Sequence, residues 1–538
     1  MLMRFFASLR GKSRMPRAGA ANAADAAYQE AVAHFHRCEY AQAQAICRDL
    51  LALQPQSLSA LDLLALIAGQ TDDPDQVEQL NREILALAPD EPSIHFKLGL
   101  ALWGKGLCHE AIASFRQALS LDPGYEQAHS SLLFCMSFAH GLSAAEMFTE
   151  YLQFSERFET PVCAQRKEHT NHPDAARPLR VGYVAFDFGN TINHYYLEPL
   201  LQAHDRSQFK LFLYDNANRE TATTEALRRP GDSWRKLAGL DHEQAAARIR
   251  ADAIDILVDL SGHLKDNRLL TFARKPAPVQ MTWLSYPQTT GIRAIDYRIT
   301  DRYCDPPGLA DRYYVEELLR LPDGYWCYRP PAETPGPLPA IRNGCITFGC
   351  FNTFAKITPA TLEVFAQVLR QNAHSRLIML CVPQGESTRR VRETFERHGI
   401  AADRLSIYPR LAQAAYRDMH RQVDIALDPF PCNGATTTLD ALRMGVPVVS
   451  LEGDSCAARA GVSILSVAGM PQLIAGDAPH YVDIATRLAA DLPQLAAMRA
   501  QLPARIAASP LADGPRFARG MEALYRKAWT RWCESRRA

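Results

Sequence analysis

The sequence lacks any excess of charge of one sign. Of its 538 residues, 59 are Lys or Arg and 59 are Asp or Glu. A balanced charge gives no electrostatic reason for nonspecific binding to nucleic acid or to an anionic membrane. The chain also lacks a run of about 18 or more apolar residues, which is the length that a transmembrane helix requires. We therefore expect no nucleic-acid partner and no membrane span.

Cysteine pairs with a recognisable spacing are missing as well. The 13 cysteines are scattered from Cys38 to Cys533 without CxxC or zinc-like spacing. An odd, dispersed set is typical of reduced thiols in the cytosol rather than of a disulfide framework. The basic start of the chain is too short and too charged for the core of a signal peptide, and residues 1–24 are predicted to be a flexible tail. These features predict a cytoplasmic protein.

The first third of the chain contains a repeated segment. The stretch Cys-Arg-Asp-Leu-Leu-Ala-Leu-Gln-Pro ends at Pro55, and similar stretches end at Pro89 and Pro123, each 34 residues further on. A helix–turn–helix period of this length is that of tetratricopeptide (TPR) repeats. We predict TPR-like helical repeats over residues 25–157 and a linker at 158–178. Such arrays expose a concave groove suited to extended peptides, although a short array could also serve only to brace the next domain.

The chain beyond the repeats alternates between strand and helix signals. Several apolar runs read as buried strands, and amphipathic helix patterns separate them. This alternation predicts doubly wound parallel sheets. The proline-rich stretch 330–340 divides the region into one Rossmann-like domain at 179–329 and a second at 341–514, followed by a C-terminal helix at 515–538. The predicted fold class is an α-solenoid followed by two α/β domains.

Residues 423–451 are the most informative stretch. They read as a strand, a loop rich in Pro, Gly and Asn, a helix that begins near Thr436, and a second strand. Ligands favour the carboxyl ends of parallel strands, and a helix N-terminus offers unpaired N–H groups to an anion. Thr436, Thr437 and Thr438 can add hydroxyl donors, and Asp440 can accept from a sugar hydroxyl. This pattern suits a nucleotide diphosphate, although Thr436 could also merely cap the helix.

The same stretch resembles the nucleotide-sugar-binding helix of the O-GlcNAc transferase / SPINDLY family, glycosyltransferase family 41. Its residues Asn433, Gly434, Thr436, Thr437 and Asp440 match the family's Asn-Gly-x-Thr-Thr-x-x-Asp. In the family, the turn and the threonines hold the phosphates, and the aspartate holds the ribose. The resemblance therefore implies that these residues bind the donor nucleotide.

A second motif carries the resemblance further along the chain. Residues 351–357, Phe-Asn-Thr-Phe-Ala-Lys-Ile, match a family motif whose lysine contacts the diphosphate of the UDP-sugar. The resemblance implies this role for Lys356, whereas a loop lysine taken alone is usually just solvated. A cation there would offset the charge that grows on the leaving diphosphate. We expect Lys356 and the tip of the helix at Thr436 to converge across the gap between the two domains.

The segment from Tyr408 to Tyr416 resembles the part of the family that lies near the nucleotide base. A lysine of animal enzymes falls on Gln413, and a histidine falls on Tyr416. The resemblance places both residues in the nucleotide site. Tyr416 could stack on uracil, or it could belong to the core, as helical tyrosines often do.

Two histidines are candidates for acid–base chemistry. The resemblance puts Thr191 where the family usually has its active-site histidine, and His194 follows three residues later. His194 could reach the same cleft or be an ordinary helix residue. Asp-Leu-Ser-Gly-His at 259–263 matches another family motif at a strand end, so His263 is either a site residue or a structural loop histidine. A general base typically contributes about 10²–10⁴-fold to the rate.

The resemblance implies a GT-B fold and an inverting protein glycosyltransferase. The expected donor is a UDP-sugar, with N-acetylglucosamine as the expected sugar, and the acceptors would be Ser or Thr of proteins bound along the TPR groove and the cleft. No cofactor or metal is expected, because no Asp-x-Asp element lies in a suitable loop. Two alternatives stay open: transfer of glucose or another hexose to Asn or Ser, and a catalytically impaired scaffold that only binds nucleotide.

Overall fold

The computed structural model describes residues 23–331 and 333–537. The predicted flexible tail lies outside these residues except at its end, because the first helix begins at Ala23. A helical array and two parallel α/β domains follow one another along the chain, which confirms the predicted fold class.

Helix pairs build the N-terminal array. In the first three pairs, the second helix ends two residues before the proline of the 34-residue period. The cause is local, since the residue before a proline disfavours the α conformation. Close packing needs the small residues of the repeat: a Cβ at Gly99 would lie 2.6 Å from the ring of Phe115. In the described residues the pairs are α1 (Ala23–His36) with α2 (Tyr40–Leu53), α3 (Leu58–Gln70) with α4 (Pro74–Leu87), α5 (Pro92–Gly104) with α6 (Cys108–Leu121), and α7 (Glu126–Met136) with α8 (Ala144–Phe154).

The first α/β domain contains a parallel sheet of seven strands in the order β3-β2-β1-β4-β5-β6-β7, as the described residues show it. A π-helical turn (Ser155–Glu159) and a 3₁₀ turn (Thr160–Gln165) lead into it from the repeats. The strands are β1 (Leu179–Ala185), β2 (Phe209–Asp215), β3 (Ser233–Lys236), β4 (Ile256–Asp259), β5 (Val279–Thr282), β6 (Tyr297–Asp301) and β7 (Glu317–Leu321). The helices are α9 (Thr191–Ala203), α10 (Ala222–Leu227), α11 (His242–Ala251) and α12 (Leu269–Phe272).

The second α/β domain contains a parallel sheet whose six described strands have the order β10-β9-β8-β11-β12-β13. The strands are β8 (Thr347–Cys350), β9 (Arg376–Met379), β10 (Leu405–Ile407), β11 (Ile425–Leu427), β12 (Val448–Leu451) and β13 (Ile474–Ala475). The helices are α13 (Pro339–Asn343), α14 (Pro359–Gln371), α15 (Glu386–Arg397), α16 (Gln413–Met419), α17 (Thr436–Arg443), α18 (Ala460–Val467), α19 (Ala478–Ala490) and α20 (Leu492–Ala508).

The C-terminal helix α21 (Gly514–Ser535) returns to the first α/β domain. The hydroxyls of Tyr525 and Tyr183 lie 2.9 Å apart, and the indole N–H of Trp529 donates to the carbonyl of Asp174 at 2.9 Å. These contacts join the end of the chain to β1 and to the segment that precedes it. None of the described helices is long and apolar enough to cross a membrane.

A buried apolar cluster joins the repeats to both α/β domains. It runs from α5–α8 into the first domain, and it also includes Ala355, Cys432 and Ala457 of the second domain. The array therefore packs against loops of the second sheet as well as against the first.

Candidate active site

The loops that follow β8 and β11 meet at the carboxyl edge of the second sheet. These two strands are parallel neighbours, with Phe348 opposite Ile425. Lys356 lies at the end of a 3₁₀ turn after β8, and its amine donates to the backbone carbonyl of Asn433 at 2.5 Å. Lys356 and the turn before α17 converge as predicted, but inside the second domain. The expectation that they converge across the gap between the domains is wrong, because both loops leave neighbouring strands of one sheet.

The turn before α17 requires a glycine. The N–H of Gly434 donates to Asp428 Oδ1 at 2.7 Å, and a Cβ at this position would lie 2.2 Å from the hydroxyl of Thr437. The side chain of Asn433 braces the same turn by donating to the carbonyl of Pro429 at 3.1 Å and accepting from the N–H of Gly461 at 3.3 Å. The turn is thus held rigidly at the edge where an anion would bind.

The three threonines at the start of α17 make different contacts. Thr437 donates to the side-chain oxygen of Asn352 at 2.9 Å, whereas the buried Thr438 donates back to the carbonyl of Gly434 at 3.0 Å. The hydroxyl of Thr436 lies 3.0 Å from that of Tyr196, a residue of α9 in the first domain. The helix begins at Thr436 and its N-cap is Ala435, so Thr436 does not cap the helix.

Asp440 lies one turn into α17 and accepts hydrogen bonds from two tyrosines. Tyr328 donates to Oδ1 at 2.7 Å and Tyr416 donates to Oδ2 at 3.0 Å. Burial raises the pKa of Asp440, while the two phenols oppose this effect. Tyr328 lies at the end of the first domain, so Tyr196 and Tyr328 both contact α17 from the other side of the gap. A carboxylate can accept about four hydrogen bonds, which leaves Asp440 capacity for a further hydroxyl.

The predicted base-side residues Tyr416 and Gln413 both lie on α16. The ring of Tyr416 packs against Phe351 and His420, with centroid distances of 6.1 and 4.9 Å, while its hydroxyl reaches Asp440. Gln413 is exposed, and its amide donates to the hydroxyl of Tyr195 at 3.4 Å. Tyr416 therefore stands beside the predicted ribose position, and Gln413 lies at the rim where the two domains meet.

Asp428 is a site residue that the sequence reasoning missed. It follows β11 directly, is buried, and accepts from the N–H of Gly434 at 2.7 Å and from Ser450 Oγ at 2.8 Å. Burial raises its pKa to about 7. Together with Asn352 and Thr437 it lines a cavity beside the turn. The available signal was an aspartate placed directly after a buried strand, at the edge where ligands bind.

His263 does not face the cleft. Its Nε2 donates to the carbonyl of Thr290 at 2.8 Å, and its Nδ1 lies 3.0 Å from the hydroxyl of Ser130 in the fourth repeat. The ring packs edge-on against Phe154 of α8, with centroids 4.6 Å apart. Burial lowers the pKa of His263 to about 3. These contacts are those of the structural alternative, because the repeats cover this loop and both ring nitrogens are hydrogen-bonded, one to Ser130 of the repeats and the other to Thr290 of the first domain.

His194 lies in the first turn of α9. Its Nε2 is 3.5 Å from Glu198, one turn further along the same helix. Burial lowers its pKa, with an opposing effect from Glu198 and a reinforcing one from Arg229. The two tyrosines that follow it on this helix both reach the second domain, Tyr195 at Gln413 and Tyr196 at Thr436, whereas the contact of His194 is with its own helix. The side chain of Thr191 lies outside the described part of the structure.

A search of residues 23–331 and 333–537 finds no group of three or more His, Cys, Asp or Glu side chains that could hold a metal ion. The cations and dipoles near the turn are instead the Lys356 amine and the N-terminus of α17. An anion at this edge would meet the Lys356 amine and the hydrogen-bond donors at the start of α17.

The family model described as glycosyl transferase family 41 matches residues 128–328 and 338–521. Among curated proteins, the probable UDP-N-acetylglucosamine–peptide N-acetylglucosaminyltransferase SPINDLY of Petunia hybrida is 37% identical over 425 residues, which cover 77% of this chain and 45% of that protein. The SPINDLY protein of Arabidopsis thaliana is 38% identical over 424 residues, covering 77% of this chain and 46% of its own. The chain spans less than half the length of these relatives.

A solved structure resembles nearly the whole molecule. A mutant of the Thermobaculum terrenum O-GlcNAc transferase superimposes with a TM-score of 0.88 at 34% identity, covering 96% of this chain and 99% of that one. The helical repeats and the two Rossmann-like domains thus have the predicted GT-B arrangement. The family match, the identity to the SPINDLY proteins and this structural likeness agree with the motifs at Lys356 and Asn433, and the chain belongs to glycosyltransferase family 41.

Proposed function

We propose that this chain is an inverting glycosyltransferase that moves N-acetylglucosamine from UDP to Ser or Thr of a protein. The observation that carries the proposal is the convergence of the Lys356 amine, 2.5 Å from the carbonyl of Asn433, with the N-terminus of α17. Relatives that cover most of this chain are named as UDP-N-acetylglucosamine–peptide N-acetylglucosaminyltransferases, which supports the choice of sugar and acceptor.

The proposed reaction places growing negative charge at this edge of the sheet. The acceptor hydroxyl attacks the anomeric carbon, the bond from that carbon to the diphosphate oxygen breaks, and the configuration inverts. The bonding electrons leave with UDP. Lys356 and the dipole of α17 then stabilise the leaving diphosphate, an electrostatic effect typically worth about 3–4 kcal/mol per group. The acceptor proton passes to a base or to water in the cleft.

The donor nucleotide would be held by residues of the second domain, two of which also contact the first domain. In this proposal the hydroxyls of Thr436 and Thr437 bind phosphate oxygens, Asp440 accepts from the ribose, and Tyr416 stands next to the base. Thr436 and Asp440 already contact Tyr196 and Tyr328 of the first domain. Nucleotide binding would therefore tie the two α/β domains together.

The remaining parts of the proposal concern partners and compartment. The repeats and the cleft would bind the acceptor polypeptide, and transfer would need no metal, so that treatment with EDTA leaves the rate unchanged. A cytoplasmic location is proposed because all 13 cysteines are unpaired, which is typical of a reducing compartment.

Mass spectrometry of modified acceptors tests the proposal. The full-length protein is incubated with a panel of UDP-sugars and a protein lysate, and glycopeptides are mapped for mass shift and linkage. N-acetylhexosamine on Ser or Thr is the expected result, absent with Lys356→Met and retained with the exposed Lys210→Met as matched control. A hexose on Asn would instead make the chain a hexosyltransferase. UDP binding without hydrolysis or transfer would make it a scaffold.

A further inference from the structure

The repeat array contacts the loop that carries Lys356. The turn between α5 and α6 supplies Gly106 at a φ of +74°, and a Cβ there would lie 3.2 Å from the carbonyl oxygen of Phe354 and 3.5 Å from that of Ile357. The thiol of Cys108 lies 3.6 Å from the carbonyl of Ala355 and donates to it. The turn thus touches backbone carbonyls on both sides of Lys356.

A buried lysine fastens this turn to the second domain. The side chain of Lys105 is only 2% exposed and forms ion pairs with Asp75 at 2.8 Å and with Glu78 at 2.6 Å, both from the second repeat. It also pairs with Glu386, the first residue of α15. The N–H of Glu386 in turn donates to Asp75 Oδ2 at 2.8 Å. A lysine this deeply buried is tolerated only when it is paired, so the three carboxylates fix its place.

Arg390 closes the same interface from α15. Its guanidinium lies 5.4 Å from the ring centroid of Phe354, and it donates to the backbone carbonyl of Lys105. On the apolar side, Cys108 belongs to one buried cluster with Ala355 and Cys432. Cys432 directly precedes Asn433, so the turn packs against both loops that meet at the Lys356–Asn433 hydrogen bond.

We propose that residues 105–108 of the third repeat are a positioning element for Lys356, so that the array acts on the donor side of the reaction as well as on the acceptor. The inference rests on the proposed role of Lys356 at the diphosphate. Lys356 ends a 3₁₀ turn of three residues and its amine donates to the carbonyl of Asn433, so its position depends on what packs against these two loops. The repeats supply part of that packing, because Cys108 donates to the carbonyl of Ala355 and Gly106 lies close to the carbonyls of Phe354 and Ile357.

A matched pair of glycine substitutions tests the contact without confusing it with backbone strain. Gly106→Ala places a methyl group against Phe354 and Ile357. Gly141→Ala changes a repeat glycine at a similar φ of +84°, where the added Cβ would meet no other segment of the described structure within 4 Å. Both variants carry the cost of a left-handed residue. Only Gly106→Ala should move Lys356. A second pair is Lys105→Met with Lys97→Met, since Lys97 forms its ion pair with Asp62 inside the array.

The readout is UDP affinity by calorimetry on the full chain, because UDP is the leaving group and carries the charge that Lys356 would meet. In the wild type, we expect Gly106→Ala and Lys105→Met to weaken UDP binding about 10-fold, since misplacing a group by about 1 Å has effects of this order or larger. In a Lys356→Met background, the same changes should have no further effect, because residues that act through one group are not additive. Gly141→Ala and Lys97→Met should leave the UDP affinity unchanged in both backgrounds.

Each outcome decides a different question. Equal losses of UDP affinity in the two backgrounds, or no loss in either, would overturn the positioning role even if the melting temperature falls. Rescue of UDP affinity by Lys105→Arg, which keeps the charge, would support it. A wild-type protein that binds no UDP would contradict the proposed donor site and this inference with it, whereas additive effects in a protein that binds UDP contradict this inference alone.

Discussion

The loop after β4 and the loop after β8 leave the carboxyl ends of central strands in their two sheets. Both carry a family motif with a basic residue, His263 in the first and Lys356 in the second. The repeats cover the first loop, and the two ring nitrogens of His263 are hydrogen-bonded to Ser130 and Thr290. The second loop meets a rigid turn, and its amine reaches the carbonyl of Asn433 at 2.5 Å. The same position at a sheet edge thus serves packing in one domain and, as proposed, donor chemistry in the other.

The difference lies in what covers each strand end. Burial lowers the pKa of His263 to about 3, which keeps the ring neutral at physiological pH. Lys356 is only half-buried, and Asn352, Asp428 and Thr437 contribute polar groups to the cavity beside the Asn433 turn. In the first domain the repeats bury the imidazole itself, whereas in the second the packing leaves the Lys356 side chain partly exposed. The following substitutions test this comparison.

The largest effect is expected at Lys356. Lys356→Met keeps the length of the side chain and removes its charge, so kcat for sugar transfer should fall by about 10²–10³-fold, as for loss of one preorganised transition-state donor. The melting temperature should stay close to that of the wild type, because the residue is half-buried. Steady-state kinetics and thermal melting measure the two quantities. A kcat within the range of the Lys210→Met control would place the leaving-group interaction elsewhere.

His263→Asn should show the reverse pattern. The free energy of unfolding should fall by about 1–3 kcal/mol, because Thr290 and Ser130 lose buried hydrogen-bond partners. Turnover at a temperature where the variant is folded should be retained. Denaturant unfolding and kinetics measure the two effects. A large loss of kcat at unchanged stability would make His263 a catalytic residue and remove the contrast between the two loops.

The pH dependence of unfolding adds an independent check on His263. Its pKa is about 3 in the folded state and about 6.5 in the unfolded chain. The stability that its neutral form contributes is therefore fully present above pH 6.5 and is lost as the pH falls toward 3. His263→Asn should lose less stability than the wild type on acidification across this window. Burial also lowers the pKa of His242 and His420 to about 4. The free energy of unfolding of the variant therefore still depends on pH, although less steeply than that of the wild type.

A smaller effect is expected at Asp440, which joins the two domains at the edge of the second sheet. Asp440→Asn should weaken UDP binding about 10-fold, because hydrogen bonds to a charged group are worth about 1.5–3 kcal/mol. Tyr328→Phe, which removes only the hydrogen bond from the first domain, should weaken it less. Calorimetry compares the two variants. Tighter UDP binding by Tyr328→Phe would mean that the tyrosine competes with the ribose for the carboxylate.

The parts of this architecture that were predictable are those with a local cause. The prolines of the 34-residue period end the second helices of the repeats, and adjacent strand ends bring Lys356 to the turn at Asn433. The contacts that were not predictable join residues far apart in sequence. Nothing near Tyr328 indicates that it donates to Asp440, and the motif at His263 does not reveal that Ser130 of the fourth repeat lies against it. Local patterns place a loop at a strand end, whereas long-range packing decides what covers it.

The smallest effect on kcat is expected at His194, the second histidine of the first domain that could act as a base. Helix α9 directs Tyr196 to Thr436 of the second domain, while the imidazole of His194 lies 3.5 Å from Glu198 of its own helix. His194→Asn should therefore leave kcat within about twofold of the wild type, far from the 10²-fold or greater loss typical for removal of a general base. Glu198→Gln, which removes the partner charge but keeps the histidine, is the matched control. The decisive measurement is the pH–rate profile of both variants. If His194→Asn abolishes the acidic limb of kcat while Glu198→Gln only shifts it, the histidine takes the acceptor proton after all, and the first domain supplies the base that the loop at His263 does not.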